Sequence, residues 1–426
     1  MATLNMSQKS VYAYLEERGY RPQIWDWNVG EKNFESWSPT YVKPRSVWDD
    51  LSSNEKPILI FAPRGVGKSA LRVIMQTHLE FERGYLIIEH VAMDSILKGA
   101  GGPSSDGPIP VSAHLEAIVE QATIKLVGRV VEQDRLPNLS PETSQGLCVL
   151  WEQCKKEHIV AGWEEAKHQR WKRFVGPWWW WRNMQRNIAS AKIRVTKSLT
   201  RSPKETEIGS VLKTLGELMG SSNDEAQNAK LRLEQLAHIV VDFGYKKIVL
   251  AVNGLAEHPE THDLRSIRNI NRILDPLLSN QQLLEIDRYV WRIFVPWHAK
   301  GADTIRSFRG SATDARNVRM DLEWSDNEML CILGSRLLAF RKDVGPGARR
   351  PVEAIDAAQA EIKRFLGTEI ADSSCMSEII SMAHYNPRRL FELMKRITRL
   401  FCYEQATTTE EIRNVIDLWT DHRLCS

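Results

Sequence analysis

The order of apolar and polar positions divides the chain into two regimes. Mostly apolar runs at Ile58–Phe61, Gly84–Val91, Ile248–Val252 and Val290–Pro296 have the length and β-branched content of strands buried on both faces. Between these runs the apolar residues recur with helical spacing. Leu71, Ile74, Met75 and Leu79 form one stripe, and Leu115, Ile118, Val119, Ala122, Leu126, Val127 and Val130 form another within 112–134. Further helices are predicted at 147–159, 223–241 and 267–278. Strands alternating with amphipathic helices predict βαβ units, hence an α/β core of three αβα layers around a mostly parallel sheet.

After residue 324 only the helical period remains. Ser325 followed by Glu328 is a capping box, and Met329, Leu330, Leu333, Leu337 and Phe340 continue on one face. Helices predicted at 354–365, 376–383, 387–404 and 409–419 complete an all-helical domain, interrupted at Gly345-Pro346-Gly347. The expected organisation is therefore an N-terminal helix and aromatic arm over 1–50, a core over 51–324 with an insert at about 145–222, and a helical domain over 325–426. The arm carries Trp25, Trp27, Phe34, Trp37, Tyr41 and Trp48, too many aromatics to leave in water, and is expected to pack across the core.

Candidate chemistry concentrates between the first strand and its helix. Ala62-Pro63-Arg64-Gly65-Val66-Gly67-Lys68-Ser69 fits the Walker A pattern, with Ala in place of the first Gly. Gly65 and Gly67 can take backbone angles closed to other residues, so the N–H groups of Arg64 to Ala70 can converge on phosphate oxygens. Lys68 is expected to reach the outer phosphates and Ser69 to hold Mg²⁺ through its hydroxyl. The helix starting there turns its positive end to the anion. Tyr41, just ahead of the first strand, is a candidate for the adenine pocket.

The strand at 248–252 ends in Asn253, where a Walker B element carries the Asp that supports Mg²⁺; position 256 is Ala, and Glu257 is the acidic residue left to orient an attacking water. Asn253 can bind a metal-held water but brings no charge, so slow hydrolysis is expected. His298, after the strand at 290–296, is a candidate γ-phosphate sensor or a structural loop histidine. Asn386-Pro387-Arg388-Arg389 reads as an N-cap, a first-position proline and two cations in a first helical turn, where they oppose the helix dipole. Either a phosphate or an acidic group of the protein would offset that repulsion, and Arg388 is the candidate lid arginine.

Composition changes this picture only in places. Across 426 residues, 42% are hydrophobic and 26% charged, ordinary values for a globular chain, and no run reaches the length of a membrane span. The N-terminus has no signal-peptide pattern, and six scattered cysteines without metal-ligand spacing fit a reducing, cytoplasmic setting. A net charge of +3 points to no partner, but its distribution is uneven: residues 155–204 hold thirteen Lys/Arg, three Glu, no Asp and six of the fifteen tryptophans, including Trp178–Trp181. That insert suits a protein partner or homo-oligomer contact, nucleic acid, or an anionic membrane surface. It equally suits a helical hairpin with Trp163, Ala166, Trp171 and Phe174 facing a core.

With APRGVGKS, IVLAVNGLAE, RIFVP, LEWSDNEMLCILGSRLLAF and NPRRLFELMKR in this order, the chain resembles the AAA+/STAND branch of P-loop ATPases over residues 40–420. It is particularly similar to bacterial members associated with signalling and antiviral defence. The resemblance implies a P-loop NTPase sheet with an additional strand, a C-terminal helical lid, ATP with Mg²⁺ as cofactors, and nucleotide-controlled switching of a partner. In its terms Lys68, Glu257 and Arg388 would serve ATP hydrolysis, and Ser69 with Asn253 would serve the metal. The alternatives are a nonhydrolysing ATP-bound scaffold that uses the basic insert, and a P-loop kinase.

Overall fold

The computed structural model describes residues 11–25, 38–90, 109–132, 139–154, 164–176, 225–253, 255, 267–301, 318–345, 350–367, 371 and 373–403. Its strands are β1 (Ile58–Ala62), β2 (Leu86–His90), β3 (Ile248–Val252), β4 (Tyr289–Pro296) and β5 (Val318–Asp321), in one parallel sheet of order β2-β3-β4-β1-β5. Every residue of β1, β3 and β4 is buried, which is why β1 and β3 read as unbroken apolar runs and β4 as one interrupted only by Arg292. Leu86 is in register with Ile248, and Ile248 with Tyr289. The Val318 N–H donates to Pro57 C=O at 3.0 Å and the Leu322 N–H to Phe61 C=O at 2.8 Å, so β5 advances in step with β1.

The helices are α1 (Arg45–Ser53), α2 (Lys68–Phe81), α3 (Val111–Glu132), α4 (Pro141–Cys154), α5 (Glu225–Asp242), α6 (Ile267–Leu278), α7 (Gln281–Leu284), α8 (Asp326–Phe340), α9 (Ile355–Leu366), α10 (Ser373–Met382) and α11 (Pro387–Tyr403). The helix expected at 147–159 begins earlier, at Pro141, because the Ser140 hydroxyl accepts the Thr143 N–H at 3.1 Å and caps it. The helix expected at 409–419 lies outside the described residues. Two compact units emerge, one made of 1–54, 60–78 and 319–426, the other of 55–59 and 79–318.

In the first unit the capping box of α8 forms as expected. Glu328 accepts the Ser325 N–H at 2.8 Å, and its other oxygen accepts the Arg45 N–H at 2.7 Å. One carboxylate thus serves the starts of two helices, and α1, preceded by Pro44, has no side-chain cap of its own. Trp25 departs from expectation by packing on the C-terminal helices: its indole N–H donates to Thr398 Oγ1 at 2.9 Å in a buried site, and its ring meets Phe365 edge-on at 5.4 Å. Thr398 supplies the acceptor that a buried indole requires. Trp48 does lie against the helix after β1, 5.5 Å from the His78 ring, while Trp27, Phe34 and Trp37 lie outside the described residues.

In the second unit α3 lies along β2, and Asp242 at the end of α5 accepts the hydroxyls of Ser140 (2.8 Å) and Thr143 (2.5 Å), holding its carboxyl below the usual range. Arg292 stands within β4 at 1% exposure; its Nη1 donates to the carbonyls of Lys56 at 2.9 Å and Trp291 at 3.0 Å. Of the basic insert, residues 165–176 are helical. There Trp171 stacks on Phe174 at 5.5 Å and meets Trp151 at 5.7 Å, and Lys167 lies 3.5 Å from Glu132. Phe174 is buried and Trp171 half-buried, in line with the core-facing pattern, whereas Ala166 is exposed; Trp163 and Trp178–Trp181 lie outside the described residues.

Candidate functional site

The site begins where β1 leaves the sheet. Pro63 to Gly67 form a turn in which Gly65 has φ +90° and Gly67 φ +94°, both in the region that side chains disfavour. Helix α2 then starts at Lys68, with the Leu71 N–H donating to Gly67 C=O at 2.9 Å. Amides ahead of the first helical hydrogen bond are the ones a bound anion can use. Lys68 Nζ reaches back to the Ala62 carbonyl at 3.3 Å, so the ammonium is drawn toward the loop. Gly65, Gly67, Lys68, Ser69 and Ala70 are half-buried, Val66 is buried and anchors the turn, and Arg64 is exposed.

Two side chains from the C-terminal segment grip this loop. Asn386 Nδ2 donates to the Arg64 carbonyl at 2.8 Å, and Trp324 Nε1 donates to the Val66 carbonyl at 2.9 Å. A Cβ added to Gly65 would meet Asn386 Oδ1 at 2.9 Å and the Arg388 Cβ at 3.2 Å, so backbone and side chains are in close contact there. Asn386 is also the N-cap of α11, as the sequence predicts: its Oδ1 accepts the N–H groups of Arg388 at 3.1 Å and Arg389 at 3.3 Å. Trp324 arrives because β5 runs beside β1 to the same end and the chain continues through Leu322 and Glu323.

The starts of α2 and α11 therefore meet at one glycine loop. Neither helix has an acidic residue in its first turn, and those turns bring Lys68, Arg388 and Arg389. Each such cation opposes its helix dipole by about 0.3–1 kcal/mol. Of the two ways to offset that cost, the protein supplies one: Arg388 Nε lies 3.1 Å from Glu392, one turn on. At about one-third exposure, such a pair adds only about 0.3–0.5 kcal/mol.

The remaining candidates divide between the units. Tyr41, in the first unit, is half-buried with an enclosed hydroxyl, and burial raises its pKa, keeping the phenol neutral. Asn253, in the second, follows β3 at 8% exposure, and its N–H donates to His90 C=O at 3.3 Å. His298 is half-buried in the 3₁₀ turn Trp297–Gly301 after β4. Glu257 lies outside the described residues. The described residues contain no group of three or more His, Cys, Asp or Glu able to hold a metal, and no helix among them is long and apolar enough to cross a membrane.

Sequence reading missed Trp324's part in this site, since it appeared only as the residue ahead of a capping box. It also missed a buried pair in the second unit, His90 Nε2 and His114 Nδ1, 2.9 Å apart. Both rings are fully buried, and burial pushes the pKa of His90 down to about 4 and that of His114 to about 3. The pair is neutral and holds α3 to β2 by a polar bond inside an apolar layer. No protein-family model, curated protein or solved structure matches the chain.

Proposed function

We propose that this protein is an ATP-binding P-loop ATPase of AAA+/STAND type that acts as a nucleotide-dependent switch, with slow hydrolysis. The observation that carries the reading is the junction of two helix starts at one glycine loop: α11, capped by Asn386, is bonded to Arg64 of the loop that opens α2. Two positive dipole ends, Lys68 and the Arg388–Arg389 turn make a site suited to a polyanion carrying several charges. The strand order supports the same reading, since β4 separates β1, which bears the loop, from β3, which bears Asn253. The additional-strand sheet that the resemblance implies would have a strand in that position.

In this reading Arg64 to Ala70 cradle the phosphates, Lys68 neutralises the outer ones, and Tyr41 borders the base. Ser69 would hold Mg²⁺, which would supply positive charge against the phosphates. Arg388 leaves Glu392 for the terminal phosphate, and α8–α11, the lid, respond to that exchange. Asn253 stands where a Walker B carboxylate is expected, which favours slow turnover and also favours the second reading, a nonhydrolysing ATP-bound scaffold. Recruitment of a protein partner, a second copy or nucleic acid by the insert at 155–204, a role in defence and a cytoplasmic setting belong to the same proposal.

Turnover separates the two. With Mg²⁺ and saturating ATP the wild type should release phosphate slowly, and Asn253→Asp should raise the rate about fivefold or more by restoring charge at the metal shell. A wild type that binds ATP but shows no turnover, unchanged in Asn253→Asp, supports the scaffold. Brisk wild-type turnover would show that another carboxylate serves the metal.

A further inference from the structure

In a trans peptide the C=O of one residue and the N–H of the next point in opposite directions. The carbonyls of Arg64 and Val66 are held by Asn386 Nδ2 at 2.8 Å and Trp324 Nε1 at 2.9 Å. The N–H groups sharing those peptide planes belong to Gly65 and Gly67, the two residues with positive φ. Fixing the two carbonyls therefore turns the two glycine amides to the opposite side, the arrangement of an anion-binding nest. We propose that Asn386 and Trp324 are positioning residues that preset the phosphate-binding nest, and that Asn386, through its two-sided bonding, transmits nucleotide occupancy to α11. This rests on the reading of the loop as a nucleotide site.

Delivery of Asn386 carries a conformational cost. Helix α10 ends with the Tyr385 N–H on Ile380 C=O at 3.3 Å and the His384 N–H on Ser381 C=O at 2.8 Å, a Schellman motif. The position where glycine is usual is His384 at φ +50°, and Tyr385 follows at φ +52°. Two successive non-glycine residues in the left-handed region are strained by their side chains. They set the turn from which Asn386 reaches the loop with its amide nitrogen and α11 with its amide oxygen. One planar group thus joins loop and helix, and rotation of either peptide unit breaks a bond to it.

Asn386→Asp separates the two bonds. Aspartate caps a helix as well as asparagine does, but when ionised it cannot donate to the Arg64 carbonyl. Trp324→Phe keeps most of the ring and removes the other donor. In the full chain, the affinity of each variant for ATP should drop at least about tenfold while the thermal midpoint without nucleotide stays near wild type. Hydrogen exchange adds a readout that a merely structural role would not move. ATP should protect the amides at the start of α11 in wild type, and this added protection should be lost in Asn386→Asp although the cap remains. A wild type that binds no ATP refutes the nucleotide reading itself. A wild type that binds, with variants of equal affinity and unchanged protection, overturns the positioning proposal alone. If Asn386→Asp lowers the midpoint, Trp324→Phe decides: unchanged affinity there also overturns it.

Discussion

The loop after β1 keeps its charges, whereas the ends of β2 and β3 in the second unit have theirs removed. Around the loop stand Arg64, Lys68, Arg388 and Arg389, with Glu392 as the acidic group paired to Arg388. At the other place His90, His114 and Asn253 are all below 9% exposure, and none carries charge at neutral pH. The difference teaches how polarity is used at each place. The loop leaves its backbone donors positioned by remote side chains, so it is suited to an outside anion. The second region spends one nitrogen of each histidine on a His–His bond and keeps both rings and the strand-end Asn253 buried and uncharged, so it offers little field to an outside ion.

The largest effect should come from Gly65→Ala. The new Cβ would sit at φ +90° and 2.9 Å from Asn386 Oδ1, so loop or cap must move. With a strain of up to about 3 kcal/mol, ATP affinity should fall about a hundredfold, as read by calorimetry. Retained affinity would mean the loop reshapes on binding and is not preset.

A smaller effect concerns the neutral pair. Both histidines have folded pKa values below the ordinary 6.5, so the unfolded chain takes up protons between pH 7 and pH 5 that the folded pair refuses. Stability should therefore be full above about pH 6.5 and decline as the pH falls, by about 2 kcal/mol per histidine at pH 5. Urea denaturation at the two pH values measures it; a flat response would show that the pair is protonated without unfolding. The smallest effect on binding is expected for Asn253→Asp, which should change turnover while leaving ATP affinity within about threefold.

How much of this was legible depended on sequence distance. The β1–loop–α2 unit, the Ser325–Glu328 box and the Asn386 cap are local patterns whose partners lie within a few residues, and all formed as read. Asn386 to Arg64 spans 322 residues and Trp324 to Val66 spans 258, so no local period announces either bond. Trp25 on Thr398 is a third case, where aromatic content foretold packing but not against which helices. His90 and Arg292 were hidden differently, as polar residues in runs otherwise apolar: two backbone carbonyls accept from Arg292, while His90 is buried neutral with one ring nitrogen bonded to His114.

The proposed binding of a nucleoside triphosphate at the loop depends on Lys68. Its most direct test is a calorimetric titration of ATP with Mg²⁺ into the wild type and Lys68→Ala. One site per chain is expected in the wild type, with at least about a hundredfold weaker binding in the variant. Equal affinity in the two proteins, or no binding heat in either with no displacement of a fluorescent ATP analogue, would contradict it.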